Sequence, residues 1–441
     1  MIRHAAFEIL RQGGGLPSRA IDQAAERHGL EGRDLALLRL LLRTLWRRLG
    51  SLRAVAAEVA RGKPSADISA CLHIGLTQLL FLDRVPEHAA VSETVQVAND
   101  FLGLAKGRFV NACLREALRR LERRRSGDPR RDFVGRELSW KEPLFRDPEQ
   151  HPLLWAEDAL SMPATIQRGW VQRFGREEAE RLARLALEEP PLSVRARGQD
   201  PEALLLELEL ESEELRPLAV RGGLWLFAPE ARAVLLRTSA FSAGRLTVQG
   251  ESAWRAALLL EAQSGEQLLD LCAAPGGKTA VLAESGARVT ATDVDPSKLE
   301  LLRQTLERLG LSGAVEPLQS DGAAALGERR FDGVLIDAPC SNTGVLAGRP
   351  EARWRFGPQG QRELGQLQER LLEQGSALVR PGGRLVWSTC SIEPGENQAR
   401  VSAFLRAHPG WALEAVHEAR PDFETGPVDG GYAARLRAPR S

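Results

Sequence analysis

The sequence predicts a multidomain protein: an all-α domain at residues 1–125, a linker at 126–160, a small α+β domain at 161–238 and a doubly wound α/β domain at 239–441. Three observations favour this division. The chain of 441 residues exceeds the size of one ordinary core. Apolar residues recur at helical spacing through the first domain, and strand-like runs alternate with helical runs through the last.

Composition narrows the class of protein. The formal net charge is zero, 43% of the residues are hydrophobic and 27% are charged, which is typical of a soluble globular protein. No apolar run is long enough to span a bilayer, and the first six residues lack the apolar core of a secretory signal. We therefore expect a cytoplasmic protein that does not enter a membrane.

The chain has five cysteines: Cys71, Cys113, Cys272, Cys340 and Cys390. No two of them stand at the CxxC spacing of a zinc site, and an odd number in a cytoplasmic protein argues against a disulfide framework. We expect no bound metal. Cys71 and Cys113 lie in apolar helical patterns and are predicted to be core residues.

The first domain is predicted to be helical because apolar residues keep helical spacing through residues 34–49, 68–82 and 89–102. Near its end, Arg119 to Arg131 concentrates cations against few acids. Such a segment can hold a phosphate backbone even in a neutral chain. A solvated helix end is the alternative, and the sequence favours neither.

Glycine and proline with mixed charge predict the linker; these residues are Gly127, Pro129, Pro143, Pro148 and Pro152. From Pro163 a helical pattern runs to Pro190, and short strands and helices then alternate to about residue 235. This alternation predicts the small α+β domain, to which we assign no chemistry.

Each predicted strand of the last domain ends at or near a carboxylate or a thiol. These residues are Asp270, Asp293, Asp321, Asp337 and Cys390. Helices separate the strands, so the sheet is predicted to be parallel, and ligands of such sheets bind beyond the carboxyl ends of the strands. We therefore expect one crevice that gathers all five residues.

The stretch LLDLCAAPGGK, residues 268–278, reads as a buried strand that turns through glycines into a helix. Such a turn presents unpaired backbone N–H groups and the positive end of a helix dipole, which suits a nucleotide-like cofactor. Asp293 follows Gly276 by 17 residues, a spacing expected of a carboxylate that accepts from a ribose diol; a turn cap is the alternative. Asp321 is placed to accept from an adenine amino group, or to form an Asx-turn.

Two thiols are predicted beside this pocket, Cys340 in DAPC and Cys390 in STCS. A single cysteine at a strand end is usually a core residue, but two at one edge of a sheet favour chemistry. A thiol with a pKa of about 8.5 becomes a strong nucleophile once it is deprotonated. Cys340 and Cys390 are therefore candidates for a reactive group beside the cofactor pocket.

The motifs DLCAAPGGKT, DAPCSNTG and STCSIEPGENQ together resemble the RNA cytosine-5 methyltransferases of the Sun and NOL/NOP family, which use S-adenosylmethionine. The segment HIGLTQLLFLDRVPEHAAVSETV, followed by KGRFVNACLR, resembles the NusB-type RNA-binding domain. The two resemblances imply a NusB-like N-terminal domain and a Rossmann-like class I methyltransferase domain. They also imply 16S ribosomal RNA as the partner, with a monomer as the simplest oligomeric state.

The resemblance assigns roles residue by residue. The implied cofactor-binding residues are Cys272, Ala273, Ala274, Pro275, Gly276, Gly277, Lys278, Asp293, Asp321 and Asp337. Cys390 would attack C6 of an unpaired or flipped cytosine, which makes C5 electron-rich, and Cys340 would assist release of the product. Asp337 would act as an acid near N3 if its carboxyl group is protonated.

The sequence departs from the family pattern at several positions. Asn342 stands where glycine is usual, and Gly250 stands where an acidic residue is usual, which puts any contact of that side chain in doubt. Arg349, Arg353 and Trp354 are candidates for phosphate and base contacts, with ordinary surface packing as the alternative.

Three other functions compete with this interpretation. A methyltransferase for exocyclic amines typically carries a second proline and an aromatic residue after the first Asp or Asn, and DAPC has neither. A transfer RNA cytosine-5 methyltransferase would share the same motifs. A non-enzymatic NusB-like RNA-binding factor would leave the two cysteines beside the glycine loop without a purpose.

Overall fold

The structure is a computed structural model that describes residues 1–12, 17–198, 200–221 and 223–440. The chain forms two compact units. The first unit comprises Met1–Glu188 and Arg349–Arg355, and the second comprises Glu189–Gly348 and Phe356–Ser441. The multidomain prediction is confirmed, although the observed division falls at residue 188 and not at the predicted boundaries.

The first unit is built from helices and one short two-stranded pair. Its elements are α1 (Ile2–Gln12), α2 (Pro17–Arg27), α3 (Gly32–Arg47), α4 (Leu49–Val59), α5 (Ala66–Phe81), α6 (Glu87–Leu102), α7 (Leu104–Arg120), β1 (Leu121–Glu122), β2 (Ser139–Trp140), α8 (Pro152–Ala159), α9 (Ala164–Phe174) and α10 (Arg176–Leu185). Helix α5 is apolar on every side and lies at the centre, packed by α1, α3, α4, α6 and α7. Cys71 and Cys113 are buried in this core, as predicted.

Residues 126–160 differ from the predicted linker. Strand β1 pairs antiparallel with β2, and four large aromatic side chains of this segment are buried: Phe133, Trp140, Phe145 and Trp155. The carboxylate of Asp132 accepts hydrogen bonds from the backbone N–H groups of Ser126 and Gly127. The prolines and glycines therefore shape turns between buried aromatic residues, and they do not mark a flexible connection.

The short segment Arg349–Arg355 packs inside the first unit, where Pro350–Arg355 forms a 3₁₀ helix. Arg353 is fully buried and donates to the backbone oxygens of Ser161 (3.2 Å) and Ala186 (2.7 Å). Trp354 Nε1 donates to the backbone oxygen of Trp46 at 2.7 Å. Arg353 and Trp354 therefore take the packing role that was the alternative to RNA contact, because both side chains hold this segment in place.

The cations of the basic segment are balanced by acids of the same unit. Ion pairs join Arg119 and Arg120 to Glu116, Arg120 to Glu58, Arg123 to Glu87, Arg130 to Asp128 and Arg131 to Glu122. Exposed pairs of this kind contribute little to stability, but they neutralise the local charge. The structure thus favours the solvated helix end over a dedicated phosphate-binding segment.

The second unit begins with a small sheet and three helices. These are β3 (Leu192–Ala196), α11 (Pro201–Glu211), β4 (Ala219–Arg221), β5 (Leu224–Phe227), α12 (Ala231–Leu235), α13 (Ser239–Ser242) and β6 (Leu246–Val248). The strand order is β4-β5-β3-β6 with antiparallel pairing throughout. A small α+β region is present as predicted, although it ends ten residues beyond 238 with β6 and lacks helices α9 and α10, which belong to the first unit.

A seven-stranded sheet forms the core of the second unit. Its strands are β7 (Gln267–Leu271), β8 (Arg288–Asp293), β9 (Val315–Gln319), β10 (Phe331–Asp337), β11 (Val379–Thr389), β12 (Ala412–Ala419) and β13 (Gly431–Arg437), in the order β12-β13-β11-β10-β7-β8-β9. Strands β7 to β11 are parallel, as predicted. Strand β13 inserts antiparallel between β11 and β12, which the sequence did not predict.

Helices cover both faces of this sheet, which confirms the doubly wound architecture. Helices α14 (Glu251–Leu258), α15 (Gly277–Glu284) and α16 (Pro296–Arg308) pack on one face, and α17 (Pro358–Ala377) and α18 (Gln398–Ala407) pack on the other. The parallel strands are nearly continuous apolar runs because both of their faces are buried. In the described residues no helix is long and apolar enough to cross a membrane.

Candidate active site

The loop between β7 and α15 has the backbone shape that a cofactor loop requires. Gly276 caps α15 with φ 103°, a left-handed conformation in which a side chain is strained. A Cβ at Gly276 would also lie 2.5 Å from Leu302 Cδ1. Because α15 begins at Gly277, its first backbone N–H groups lie at the carboxyl end of the parallel sheet. The loop from Cys272 to Lys278 thus lies where the sequence predicted a cofactor.

Asp270 does not project into this crevice. Its side chain is fully buried at the end of β7, and Oδ2 accepts a hydrogen bond of 2.7 Å from Thr279 Oγ1 on α15. Among the described residues none donates to the other oxygen, Oδ1. Burial raises the pKa of Asp270 to about 7, and the hydrogen bond from Thr279 only partly opposes it. Asp270 therefore ties the strand to the helix and is easily neutralised.

This buried carboxyl predicts a pH-dependent stability difference. A carboxyl group whose pKa is raised by folding stabilises the fold fully below its unfolded pKa, and that contribution is lost as the pH rises through about 7. The variant Asp270→Asn has no carboxyl group at position 270 that can titrate. Its free energy of unfolding should therefore rise relative to the parent by about 2–3 kcal/mol between pH 5 and pH 8. Urea unfolding at several pH values measures this difference.

The matched control is Asp332→Asn. Hydrogen bonds from Gln267 N and Arg380 outweigh burial and hold the pKa of Asp332 below its usual value, so its contribution is lost only in acid. The free energy of unfolding of Asp332→Asn should therefore differ from that of the parent by a constant amount between pH 5 and pH 8. A constant difference for Asp270→Asn as well would show that Asp270 is ionised throughout, contrary to the argument from burial.

The two other carboxylates of the cofactor prediction lie at the ends of neighbouring strands. Asp293 is the last residue of β8 and is buried, and its Oδ1 accepts from Asp295 N at 3.0 Å. It therefore makes the turn contact that was its alternative role, and this contact uses only one oxygen. Asp321 lies two residues beyond the end of β9 with an exposed side chain. Both positions agree with the predicted edge of the sheet.

Lys278, on α15, and Asp337, at the end of β10, form a partly buried ion pair. Lys278 Nζ lies 2.7 Å from Asp337 Oδ2, and Ser388 Oγ lies 3.4 Å from Asp337 Oδ1. Burial opposes a charged ammonium group, but the Asp337 carboxylate outweighs it and raises the pKa of Lys278. Asp337 is thus the acceptor of a charged hydrogen bond here, whereas the sequence argument required its protonated form.

The two predicted thiols lie side by side. Cys340 Sγ and Cys390 Sγ are 3.2 Å apart, at the ends of the neighbouring parallel strands β10 and β11. The hydrogen bond to Cys390, burial, and the charges of Cys390 and Glu396 raise the pKa of Cys340 well above its ordinary value. Cys340 is therefore the sulfur that keeps its proton, and Cys390 is the sulfur that can receive a hydrogen bond as a thiolate.

Asn342 occupies the left-handed conformation that favours glycine, with φ 61°. Its amide nitrogen donates to the backbone oxygen of Cys340 at 2.8 Å, and Cys390 Sγ lies 3.2 Å from its Oδ1. As a thiol Cys390 donates to that oxygen; once Cys390 is ionised, Cys340 S–H remains as its donor. The loop therefore keeps its shape, and the substitution adds a polar group beside the sulfur.

Cys272 provides a contrast within the same crevice. Burial, followed by the charges of Asp293, Asp337 and Asp270, raises its pKa to about 12. A thiol with this pKa stays protonated at neutral pH and is a poor nucleophile. The pKa of Cys340 is raised as well, so what distinguishes Cys340 and Cys390 from Cys272 is the contact of 3.2 Å between their own sulfurs.

Asp429 takes up the space beside Gly250. An added Cβ at Gly250 would overlap the carboxylate of Asp429, whose Oδ1 accepts from Ser252 N at 3.4 Å. Burial raises the pKa of Asp429. The acidic side chain that the sequence lacks at position 250 is thus matched in space by one from the loop before β13, which no local pattern indicated.

A second group that the sequence analysis missed lies beneath the two thiols. The hydroxyl groups of Ser341, Thr343 and Ser391 lie within 3.5 Å of one another, and Ser341 also bonds to Glu396. The only sequence signal was a serine directly after each cysteine. Among the described residues no group of three or more histidine, cysteine, aspartate or glutamate side chains could hold a metal ion.

Comparisons with known proteins agree with both halves of the chain. The NusB family model matches residues 2–119, and the family model described as 16S rRNA methyltransferase RsmB/F matches residues 257–428. The ribosomal RNA small subunit methyltransferase B of Erwinia tasmaniensis is 33% identical over 425 residues, which cover 92% of this chain and 90% of that protein. The protein of the same name from Vibrio cholerae is 31% identical, covering 98% and 95%.

Solved structures agree with the sequence comparisons. The crystal structure of PH0851 aligns with a TM-score of 0.74 at 25% identity and covers 99% of this chain and 98% of its own. The relatives match almost the full length of the chain, so the NusB-like and methyltransferase predictions are confirmed together. The chain therefore belongs to the family of RsmB/F 16S rRNA methyltransferases, which makes it an RNA methyltransferase that depends on S-adenosylmethionine.

Proposed function

We propose that this protein methylates C5 of an unpaired or flipped cytosine in 16S ribosomal RNA, through a transient covalent bond between Cys390 and C6 that Cys340 helps to break. The observation that carries the proposal is the 3.2 Å separation of the two sulfurs beside the Lys278–Asp337 pair. The choice of ribosomal RNA rests on the relatives named ribosomal RNA small subunit methyltransferase B. We also propose a cytoplasmic location, which a ribosomal RNA substrate supports.

The residues at the carboxyl ends of β7, β8 and β9 fit S-adenosylmethionine. Gly276 and Gly277 leave the start of α15 free of side chains, so backbone N–H groups can approach a polar ligand. Asp293 would accept from the ribose hydroxyls through its second oxygen, and Asp321 from the adenine amino group. The bound cofactor supplies a sulfonium methyl group that an electron-rich carbon can accept.

Cys390 begins the reaction by attacking C6. As a thiolate it is stabilised by the S–H group of Cys340 at 3.2 Å and by the ammonium charge of Lys278. A bond forms between Sγ and C6, and the electron pair of the C5–C6 double bond moves into the ring system, so that C5 becomes nucleophilic. C5 would then accept the methyl group of bound S-adenosylmethionine, whose bond between sulfur and that methyl carbon would break as the new carbon–carbon bond forms.

Asp337 and Lys278 are the candidates to act at N3 of the base. The ring develops negative charge towards N3 when the thiolate adds, and a proton near N3 stabilises it. In the structure that proton belongs to Lys278 and is held 2.7 Å from Asp337. Because the pKa of Lys278 is raised, Lys278 keeps its proton in this pair and can donate a hydrogen bond towards N3. Asp337 would act as the acid near N3 only with a proton taken up from solvent, as the sequence argument requires.

Cys340 completes the reaction. After methyl transfer C5 carries both a methyl group and a proton, and the proton must leave before the C6–S bond can break. Cys340, after losing its own proton to solvent, removes the C5 proton as a thiolate. The electron pair of the C5–H bond restores the C5–C6 double bond, the C6–S pair leaves with Cys390 as a thiolate, and the proton at N3 returns to solvent. While Cys390 is bound to carbon, its sulfur carries no charge and no longer accepts a hydrogen bond as a thiolate. The hydrogen bond to Cys390 and the charge of Cys390, which both raise the pKa of Cys340, are therefore absent when Cys340 must act as a base.

Methylation of defined RNAs tests the proposal. Purified protein should transfer a tritium-labelled methyl group from S-adenosylmethionine to a 16S transcript, and bisulfite sequencing should then show one cytosine protected from conversion. Transfer RNA and 23S transcripts serve as comparison substrates. Label that enters transfer RNA and not 16S RNA would overturn the ribosomal assignment. Label in 16S RNA without a protected cytosine would overturn cytosine C5 as the target.

A further inference from the structure

The two cysteine-bearing loops are joined beneath the sulfurs by a buried network of hydroxyl groups. Ser341 follows Cys340, Ser391 follows Cys390, and their Oγ atoms lie 3.1 Å apart. Thr343 Oγ1 lies 3.1 Å from Ser391 Oγ and accepts from Ile392 N at 3.1 Å. All three side chains are buried. Since each serine is the neighbour of a cysteine, the network fixes one loop against the other where the thiols meet.

The carboxylate of Glu396 accepts hydrogen bonds from Ser341, a member of this network. Its Oε1 accepts from Ser341 N at 2.9 Å and its Oε2 accepts from Ser341 Oγ at 2.5 Å. The buried amide of Gln368 on α17 donates to Oε1 at 3.2 Å and to the backbone oxygen of Pro339 at 2.9 Å. Three donors thus converge on one carboxylate, and two of them belong to the residue after Cys340.

Hydrogen bonds to the backbone of Glu396 and to the neighbouring Asn397 hold Glu396 in place. The indole N–H of Trp387, which is fully buried in β11, donates to the backbone oxygen of Glu396 at 3.0 Å. The next residue, Asn397, is buried, accepts from Thr389 Oγ1 at 2.6 Å and donates to the backbone oxygen of Ser391 at 2.8 Å. The loop that follows β11 and begins at Cys390 therefore also provides the carboxylate that holds the Cys340 loop.

We propose that Glu396 is a positioning residue for Cys340: by holding Ser341 through both carboxylate oxygens, it keeps the Cys340 sulfur over the bond that must break in product release. This inference rests on the proposed function and deepens it. Misplacing a reacting group by about 1 Å can cost about a hundredfold in rate. Glu396 should therefore govern the release step more strongly than the attack by Cys390.

The charge of Glu396 has a second effect on the same thiol. The titratable groups that raise the pKa of Cys340 in the described structure are Cys390, which follows β11, and Glu396. The Glu396 carboxylate raises the pKa of Cys340, so its removal lowers that pKa. Release through deprotonated Cys340 would then reach half of its maximum at a lower pH.

The variant Glu396→Gln tests both effects. Its amide has one acceptor oxygen for three donors, so the hold on Ser341 is lost with little change in volume. We expect steady-state methylation of the 16S transcript to fall about a hundredfold, the first turnover to change little, and a covalent protein–RNA species that resists SDS to accumulate. The pH at which that species is half released should move down.

Two further variants separate positioning from a general loss of stability. Ser341→Ala keeps the charge, so it should slow release without moving the pH midpoint. Glu363→Gln, on the exposed surface of α17, makes the same chemical change away from the network and should match the parent. Equal losses in the first and later turnovers of Glu396→Gln, without the covalent species, would overturn the inference. Absence of product from the unaltered protein would count against the proposed function instead.

Discussion

Replacing Cys390 with alanine should abolish methylation while S-adenosylmethionine still binds. The thiolate is the only group that makes C5 of the cytosine nucleophilic in the proposed mechanism, so no weaker route replaces it. Loss of a catalytic nucleophile typically costs about a thousandfold or more in rate. Transfer of labelled methyl groups to the 16S transcript measures the rate, and calorimetric titration measures cofactor affinity.

A second cysteine variant provides the control for that experiment. Cys113→Ala removes a buried thiol of the first unit whose sulfur donates to the backbone oxygen of Val59 at 3.7 Å. It should retain activity at a temperature where the protein stays folded. Full activity of Cys390→Ala would defeat the covalent mechanism. A parallel loss of cofactor binding would show that Cys390 supports the pocket and does not attack the base.

Replacing Cys340 with alanine should have the opposite signature, a trapped intermediate. Cys390 can still attack and the methyl group can still transfer, but no base removes the C5 proton, so the C6–S bond stays intact. One methyl group should enter the RNA for each protein molecule, and steady-state turnover should fall by about a hundredfold to a thousandfold. A shifted protein–RNA band on a denaturing gel reports the adduct.

The double variant with both cysteines replaced distinguishes this adduct from other cross-links. It should give neither product nor a shifted band, because the C6–S bond cannot form without Cys390. Multiple turnovers by Cys340→Ala, with no band, would show that another group or water removes the proton at full rate. The role of Glu396 would then fail as well, since its purpose is to place the Cys340 sulfur.

The parts of the site that the sequence predicted are those that depend on local pattern and on chain topology. Buried strands that end in Asp337 and Cys390 predicted that these residues meet, and the parallel pairing of β10 with β11 brings them together. The glycine loop was predicted because a left-handed residue such as Gly276 leaves a clear mark in the sequence. The position of a residue along its strand therefore predicted which edge of the sheet it lies at.

The parts that the sequence did not predict depend on contacts between distant segments. Asp337 was expected as a protonated acid, and only its contact with Lys278, 59 residues earlier, shows it as the partner of an ammonium group. Asp270 shares a strand end with the other carboxylates, yet it turns towards Thr279 inside the fold. Neither orientation follows from periodicity, because periodicity assigns a residue to an element and not to a hydrogen-bond partner.

The largest difference from the structure concerns residues whose composition suggested exposure to solvent. Prolines between 126 and 160 predicted a linker, although aromatic residues such as Trp140 and Trp155 are spaced to fill a core. For Arg353 and Trp354 the sequence left RNA contact and ordinary packing open, because arginine and tryptophan occur in both settings. Arg353 is buried against the backbone oxygens of Ser161 and Ala186, and Trp354 donates to the backbone oxygen of Trp46; a sequence pattern does not reveal such acceptors.

The return of residues 349–355 to the first unit decides how this chain can be dissected. No single cut yields two self-sufficient halves, because a fragment that begins at residue 189 still carries Arg353 but lacks the carbonyl groups that solvate its guanidinium. Such a fragment would expose a tryptophan and should aggregate on purification. A stand-alone catalytic fragment requires that this heptapeptide be replaced by a short polar loop.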